Sequence, residues 1–240
     1  MDELNVSSFW VYFASGPLLW LVTTLAVYLA AVWLHRKLGG SPLLNPVMLT
    51  MFAIMGLLVL TNTDYDTYFE GAQFIHFLLG PATVALAVPV YDQLPRIRRL
   101  WLPIVSACFV GGLIAVLTAV GITLLLGGSE DLVLAMAPKS VTSPIALGIA
   151  EQIGGYPSLA AGIVLLTGII GCALSPLVFR LLRQKDPAVQ GFTLGLAAHG
   201  FGAAWAFQMG SLAGAFAGLA MALTGVFSSV VIPLVVGLML

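Results

Sequence analysis

Charge is scarce in this chain. Only 8% of its 240 residues are charged, whereas 60% are hydrophobic, and soluble domains carry about 25% charged residues. The mean hydropathy of +1.06 agrees with this deficit. So few charges cannot cover a water-exposed surface. The composition therefore excludes an ordinary soluble domain and predicts a polytopic integral membrane protein in a lipid bilayer.

Other common functional signals are also missing from the sequence. The two cysteines, Cys108 and Cys172, lie in apolar stretches, which is typical of packed side chains rather than of a disulfide or a metal pair. A net charge of −1 without a basic stripe gives no indication of nucleic-acid binding. There is no nucleotide-binding loop, zinc-ligand spacing or nucleophile elbow. We therefore predict that the protein is not an enzyme and binds no cofactor or metal.

Long apolar stretches divide the chain. A helix needs about 20 apolar residues to cross the hydrocarbon core, and helices are the default because lipid offers backbone groups no partner. The sequence thus predicts an all-α membrane protein, a helix bundle with about seven to eight spans in a single domain over residues 1–240. Whether the last stretch is one span or two is left open. The stretches are 17–34, 42–60, 71–91, 100–126, 159–182, 191–209 and 212–240, with an interrupted eighth at 132–150.

The charges of the connecting loops predict the orientation of these spans. Basic clusters around Arg36 and Arg98 alternate with acidic loops around Asp66 and Glu130. This alternation follows the positive-inside rule if the acidic N-terminus lies outside. We therefore predict that the N-terminus lies outside.

Residues 132–155 are predicted to form a re-entrant hairpin. Pro138 and Pro144 each remove a backbone donor, so this stretch is not expected to be one straight helix. A segment that returns to its starting side also keeps the last basic cluster, around Arg183, on the inside with the other two. Broken backbone at membrane depth must be covered by protein or line a water-filled cavity. The hairpin therefore implies a cavity near its tip.

Lys139 is the single basic residue outside the three clusters, and it lies in this hairpin beside Ser140, Thr142 and Ser143. A lysine at the bilayer centre costs about 2.5–3.5 kcal/mol on insertion scales, and it suits a wet cavity or an anionic ligand. The free N–H groups of a broken helix add partial positive charge. Together these groups predict a site for a carboxylate or phosphate. The alternatives are a lysine that reaches the interface and hydroxyls bonded to their own backbone.

A second interrupted segment, 78–91, contains Pro81-Ala-Thr-Val, which echoes Pro138-Lys-Ser-Val. Transporters often place two broken helices at corresponding positions of internal repeats, around a site near the midplane. Thr83 is therefore predicted to line the site. The predicted topology does not show the two segments running in opposite directions, so it predicts no inverted repeat.

Three further polar residues are candidates, and each has a simpler alternative. His199 lies among glycines that permit a break in its helix; it either contacts the ligand or carries a proton, or it is a neutral histidine bonded between helices. Glu151, after the hairpin, is either a coupling carboxylate or an interfacial one. Asn45 either supports the site or caps its helix.

Three ordered motifs resemble signatures of the LrgB/CidB family. They are Leu78-Leu-Gly-Pro-Ala-Thr-Val-Ala-Leu-Ala-Val-Pro-Val-Tyr91, then Pro138-Lys-Ser-Val-Thr-Ser-Pro-Ile-Ala146 with Glu151-Gln-Ile-Gly-Gly155, and finally Ala198-His-Gly-Phe-Gly-Ala-Ala204 with 214–220. The resemblance runs from about Leu44 to the C-terminus. It implies an integral protein of a bacterial inner membrane.

The resemblance implies two functions. Bacterial relatives are described as antiholin-like or holin-like proteins that affect murein hydrolase activity and autolysis beside a small LrgA/CidA-type membrane partner. Plant relatives are glycolate/glycerate transporters, and bacterial ones are also linked to pyruvate. A cationic broken-helix site suits a small carboxylate, whereas a lesion-forming holin needs no such site. We therefore predict a secondary transporter of small organic anions, with antiholin-like regulation as the alternative.

The chain departs from the family pattern after His199. Where the family usually has a threonine, a base and an acid, this chain has Ala203, Trp205 and Gln208. Positions 205 and 208 are neighbours on a helix, and their joint change is expected for an ion pair, because one buried charge left alone costs about 3–5 kcal/mol. Gln208 is therefore a candidate for a supporting or coupling role.

The predicted mechanism is alternating access around this site. Lys139 attracts the carboxylate, the three neighbouring hydroxyls and Thr83 line the site, and His199 closes it. An elevator movement is suggested by analogy with other broken-helix carriers. The sequence leaves open whether a proton or Na⁺ is coupled and whether glycine-rich helix faces form a homodimer.

Overall fold

The computed structural model describes residues 17–40, 44–85 and 87–239. These residues are largely α-helical and contain no strand, which confirms the all-α prediction. The helices are α1 (Pro17–Lys37), α2 (Pro46–Thr61), α3 (Tyr65–Phe77), α4 (Leu79–Ala85), α5 (Ala87–Asp92), α6 (Leu94–Arg99), α7 (Trp101–Leu125), α8 (Glu130–Met136), α9 (Ser143–Gln152), α10 (Pro157–Leu181), α11 (Pro187–Met209) and α12 (Ser211–Met239).

The chain divides into two compact units, Met1–Ala85 and Leu86–Leu240. In the first unit, Trp20 of α1 packs edge-on against Tyr68 of α3, with 5.8 Å between ring centroids. The second unit contains α5 to α12 and both of the folded-back segments described below.

Four helices in the described ranges are long and apolar enough to cross a membrane: α1, α7, α10 and α12. Their outward side chains include exposed Leu29, Phe109, Ile170 and Leu234, as faces in contact with lipid require. The chain is therefore an integral membrane protein. The predicted count of seven to eight spans is not confirmed. The last stretch, left open between one span and two, is the single helix α12, with Pro233 inside it.

The predicted span 71–91 is not one helix. Helix α3 ends at Phe77, and the short helices α4 and α5 follow it. Pro81 lies in the first turn of α4. A proline is tolerated there because the first turn needs no intrahelical N–H donor, whereas it would disrupt the interior of a long helix.

Helices α8 and α9 fold back on each other and form the first hairpin, residues 130–155. A Cβ added to Gly155 would lie 3.0 Å from the Cβ of Leu134, and Ala135 shares a buried cluster with Ala150. In a straight helix, Ala135 and Ala150 would be about 22 Å apart. The chain therefore turns back, as the two prolines of this segment predict.

Three long helices enclose the first hairpin. Apolar side chains from the hairpin form one buried cluster with side chains from α7, α10 and α12. Lipid tails are as apolar as these side chains, so close packing rather than a hydrophobic driving force holds such helices together. The cluster includes Val133, Val141 and Ile149 of the hairpin, Val120 of α7, Val164 of α10 and Ile232 of α12.

Helix α11 is bent at His199 into a second hairpin, residues 187–209. The backbone angles of His199, φ 40° and ψ −125°, are not helical. A Cβ added to Gly202 would clash with the carbonyl oxygen of Leu194, although a straight helix would separate these residues by about 12 Å. A return leg, 200–209, therefore lies along a first leg, 187–198. The stretch 191–209, predicted as a span, is thus folded back at His199, where the neighbouring glycines permit a break.

Glycine contacts fix the direction of the second hairpin relative to α12. Gly191 and Gly195 of the first leg lie directly against the backbone of Ala213 and Ala217. Since both residue numbers rise together, the first leg and α12 run parallel. The return leg joins α12 through a turn at Gly210 and packs antiparallel to it.

Helix α10 runs in the opposite direction. Phe179 of α10 shares a buried cluster with Leu194, and an added Cβ on Gly171 would lie 2.9 Å from the Cβ of Ala198. Residue numbers on α10 thus fall as those on the first leg rise. Each hairpin is followed by one long helix, which gives two hairpin-plus-helix segments. The first is 130–181 and the second is 187–239, and the two run in opposite directions.

Pro176 lies inside α10 without ending it. A proline lacks the N–H that would bond to the Cys172 carbonyl, and the Ser175 hydroxyl donates a hydrogen bond to that carbonyl at 2.9 Å instead. Lipid cannot supply this hydrogen bond, so the serine makes the proline tolerable in a membrane helix.

The backbone contact at Gly195 makes a testable prediction. A Cβ at this position would clash with the Ala217 carbonyl, so Gly195→Ala should lower the free energy of unfolding by about 1–3 kcal/mol. Gly162→Ala is the matched control, since nothing lies within 4 Å of its added Cβ and alanine is the better helix former by about 1 kcal/mol. Thermal unfolding in detergent measures both. Equal effects of the two substitutions would contradict the close packing of α11 on α12.

Candidate functional site

Lys139 lies in the turn at the tip of the first hairpin. Its Nζ donates a hydrogen bond to the Ser140 hydroxyl at 3.2 Å. The lysine is half-buried and Ser140 is buried. None of the carboxylates in residues 17–40, 44–85 and 87–239 forms an ion pair with Lys139. The tip therefore presents a cation whose charge these residues do not neutralise.

Thr142 and Ser143 follow at the start of α9. Thr142 is the N-terminal capping residue, but its side chain makes no capping hydrogen bond. Its carbonyl accepts from the Ala146 N–H at 2.9 Å. By contrast, Thr123 donates to the carbonyl of Ala119 four residues earlier. Within the described chain, the hydroxyls of Thr142 and Ser143 do not bond to their own backbone, so the alternative of a kinked, self-bonded helix does not account for them.

His199 is buried at the tip of the second hairpin. Its Nε2 lies 3.0 Å from the Val164 carbonyl oxygen. A carbonyl can only accept a hydrogen bond, so Nε2 carries the hydrogen, and Nδ1 is the nitrogen that can take up a proton. The structure thus shows the bond between helices that was the simpler alternative for His199. It also places this histidine at a break in the helix.

The backbone of His199 has a conformation usually filled by glycine. Its angles match the first central position of a type II′ turn, which has positive φ. Such strain costs about 1–3 kcal/mol and persists only where the surroundings impose it. The histidine ring is therefore held at the tip at the expense of backbone strain.

The two hairpin tips meet beside α10. The Val164 side chain packs into the cluster of the first hairpin, while its carbonyl accepts from His199. One turn further along α10, a Cβ added to Gly168 would lie 3.0 Å from Cε1 of His199. The positive charge of Lys139 acts on His199 electrostatically. The structure therefore places the tip with Lys139 and Ser140 and the tip with His199 against the same helix, α10.

The other predicted residues lie away from the hairpin tips, or their side chains are not among those that the structure describes. The side chain of Thr83 is outside the described part, and the residue belongs to the first unit. Asn45 accepts a hydrogen bond from the Val47 N–H at 2.9 Å and caps α2, as its simpler alternative predicted. Glu151 is exposed near the end of α9, and Gln208 is exposed near the end of the return leg. Their proposed roles stay predictions.

Sequence reasoning did not find Val164 or Gly168. Val164 contributes its backbone carbonyl to the site, and a valine in an apolar stretch carries no sign of that contribution. Gly168 matters because a Cβ added there would lie 3.0 Å from Cε1 of His199 and 2.8 Å from Cδ2 of Phe201, so a side chain would not fit. The glycines around His199 were the available signal for the second hairpin.

Comparison with known proteins places the chain in a family. The LrgB-like family matches residues 24–238. The chain belongs to the LrgB-like family. This match confirms the resemblance carried by the three motifs, and it includes both hairpins. No solved structure matches the chain.

Relatives in Bacillus align over nearly their whole length. The chain is 36% identical over 218 residues to uncharacterized protein YxaC of Bacillus subtilis strain 168, covering 91% of this chain and 94% of the relative. It is 32% identical to YwbG of the same strain over 219 residues, covering 91% and 97%. It is also 32% identical to antiholin-like protein LrgB of Bacillus cereus strain B4264 over 218 residues, covering 91% and 95%.

The strain at His199 leads to a prediction about two substitutions. His199→Gly and His199→Ala both remove the ring and its hydrogen bond, but only glycine tolerates the observed backbone. We expect the glycine variant to be more stable to unfolding by about 1 kcal/mol. At the neighbouring helical position the order should reverse, with Ala198→Gly destabilising by about 0.5–1 kcal/mol. Thermal unfolding in detergent tests both, and an alanine variant at least as stable as the glycine variant would contradict the break.

Proposed function

We propose that this member of the LrgB-like family is a secondary transporter of small organic anions, such as glycolate, glycerate or pyruvate. One observation carries the proposal. The unneutralised ammonium of Lys139, at one hairpin tip, interacts electrostatically with His199 at the tip of a second hairpin, and both tips pack on α10. Ionisable groups within a membrane protein are costly and typically mark a ligand or ion pathway. A small anion would supply the missing negative charge.

The groups at the first tip suit a monocarboxylate with a second oxygen. The ammonium of Lys139 would pair with the carboxylate, and the hydroxyls of Ser140, Thr142 and Ser143 would bond to the carboxylate and to the hydroxyl or keto oxygen beside it. The N-terminus of α9 adds partial positive charge on the same side.

His199 offers a way to couple an ion to the anion. Because its Nε2 is bonded to Val164, Nδ1 is the nitrogen available to a proton and then to the ligand. A carboxylate bound between Lys139 and a protonated His199 would stabilise both cations. A proton is therefore one proposed coupling ion and Na⁺ the other.

The arrangement of the second unit supports alternating access. Two hairpin-plus-helix segments run in opposite directions, and their tips meet beside Val164 and Gly168. Transporters with inverted repeats expose a central site first to one side and then to the other by moving one part against the rest. We propose such a movement here, with an elevator as its form by analogy.

Loop charges and helix directions agree on one placement in the membrane. With the N-terminus outside a bacterial inner membrane, the first hairpin enters from outside and the second from inside. Helices α7 and α12 then both cross from inside to outside. They are indeed parallel, since Cys108 contacts Thr224 and Val120 shares a cluster with Ile232. If α11 crossed fully, the positive-inside rule would make them antiparallel.

A second function is favoured by the names of relatives. The Bacillus cereus protein is an antiholin-like protein LrgB. A regulator of this kind would affect murein hydrolase activity and autolysis, acting with a small LrgA/CidA-type membrane partner. It would need no saturable anion site at Lys139, and that difference separates the two functions experimentally.

Uptake by purified protein in liposomes tests the transport proposal. We expect saturable accumulation of labelled glycolate, glycerate or pyruvate. Lys139→Met should lower it at least about tenfold, since the anion would lose its charged partner. Lys37→Met is the matched control, because Lys37 is an exposed lysine over the Trp33 ring. Its uptake should stay near that of the unaltered protein.

The other outcomes of this measurement are also informative. Uptake unchanged by Lys139→Met would refute the site. Leakage without saturation would favour a pore. A protein that shows no uptake in liposomes but alters autolysis in cells would favour the antiholin-like function.

Labelling of single cysteines tests the two hairpins. In a Cys108→Ala, Cys172→Ala background, a membrane-impermeant maleimide should label cysteines at Glu130 and Tyr156 from outside intact cells. Cysteines at Lys185 and Ser211 should react only after permeabilisation, because the second hairpin returns to the inside. All four positions are exposed. Labelling of 185 and 211 from opposite sides would show that α11 crosses the membrane.

A further inference from the structure

A pocket of about 710 Å³ lies at the C-terminal end of α10, between that helix and the second hairpin. One part of its wall is cationic and comprises Arg180, Arg183 and Lys185. Another part is apolar and includes Phe179 and Met209. The pocket thus combines a place for negative charge with a surface suited to hydrocarbon. None of its lining residues belongs to the site at the hairpin tips.

The charges of the three basic residues are not neutralised by the described part of the chain. Asp186 is the adjacent carboxylate, and it is engaged elsewhere. It pairs with Arg96 at 3.0 Å and accepts a hydrogen bond from the Ala188 N–H at 2.8 Å as the cap of α11. No ion pair to Arg180, Arg183 or Lys185 occurs among the described residues. The pocket therefore has an excess of positive charge.

Arg183 has a backbone conformation that favours glycine. Its φ is 50°, and it follows the end of α10, where the Gln184 N–H donates to the Phe179 carbonyl at 2.8 Å. Helices commonly end with this bond and a glycine in the left-handed conformation. The turn itself does not require an arginine. This outlier makes the arginine side chain a candidate functional group.

The loop behind the pocket is held in place by hydrogen bonds. The Gln190 side chain donates to the Gln184 carbonyl at 2.8 Å. The Gln184 side chain in turn accepts from the Asp186 N–H at 2.9 Å. The cationic wall is therefore built on an ordered turn, which reduces the entropy lost when a ligand binds.

We propose that this pocket binds an anionic phospholipid. Its phosphate would lie on Arg180, Arg183 and Lys185, because guanidinium groups match phosphate oxygens in pairs. Its acyl chain would run over Pro176 and Met209, which are exposed in the pocket. A phosphate alone would leave this apolar wall uncovered, and basic pockets between membrane helices commonly hold lipid headgroups. The inference does not depend on the proposed transport.

Trp205 lines the same pocket and can report binding. The full-length protein is reconstituted in vesicles of phosphatidylcholine with increasing fractions of phosphatidylglycerol brominated on its acyl chain. We expect quenching of the Trp205 emission, taken as the difference between the unaltered protein and Trp205→Phe. Half-maximal quenching should require about tenfold less brominated phosphatidylglycerol than brominated phosphatidylcholine.

Two matched double variants locate the effect. Arg180→Gln with Arg183→Gln should abolish the preference for phosphatidylglycerol. Arg98→Gln with Arg99→Gln removes the same charge from exposed positions outside the pocket and should keep the preference.

Arg183→Gly should weaken lipid binding without loss of thermal stability, because glycine suits the turn. Lipid molecules retained by each variant are counted independently by native mass spectrometry.

Three outcomes would overturn the proposal. Equal quenching by the two brominated lipids would mean that the pocket does not select an anion. A preference retained after Arg180→Gln with Arg183→Gln would place the lipid elsewhere. A Trp205 response to millimolar glycerol phosphate in detergent, with no lipid retained, would identify a soluble phosphate compound instead of a lipid.

Discussion

The hydrogen bond from His199 to the Val164 carbonyl joins the parts on which the site depends. A helix broken in lipid leaves backbone groups that water cannot reach, so a break survives only where other protein covers it. Helix α10 supplies this cover: Val164 accepts from the histidine, and Gly168 makes room for its ring. The same valine packs against the first hairpin. One helix thus holds both tips, and the position of Lys139 relative to His199 follows from it.

The sequence was sufficient for the fold class and the first hairpin. Few charges and long apolar stretches predicted membrane helices, and two prolines around Lys139 predicted the first break. The second hairpin was missed, because α11 contains no proline after Pro187 and glycine permits a bend without requiring one. Only a contact between distant residues, such as that between Gly202 and Leu194, shows that such a segment turns back. The interruption within 71–91 was expected, because 78–91 contains Pro81 and Pro89, and α3 ends beside this segment at Phe77.

Only part of the site could be predicted from the sequence, because side chains can be recognised there and backbone contacts cannot. Lys139 stands out in a sequence because a charge in an apolar stretch is expensive, and His199 stands out because it is polar. Val164 acts through its carbonyl, which every residue possesses. The repeat was sought between the segments containing Pro81 and Pro138, whereas the structure shows it between 130–181 and 187–239. That repeat lies in the order and direction of helices rather than in matching residues.

The glycine contacts on α12 limit which part of the second hairpin can shift. Gly191 and Gly195 bring the first leg against the α12 backbone with no layer of side chains between them. Any slip would drive main-chain atoms into each other, so these two elements must travel as one rigid body. The return leg is tied to the same body, because Gly202 lies against the Leu194 carbonyl in the same way. A movement that exposes the site to one side of the membrane must therefore carry the second hairpin and α12 together.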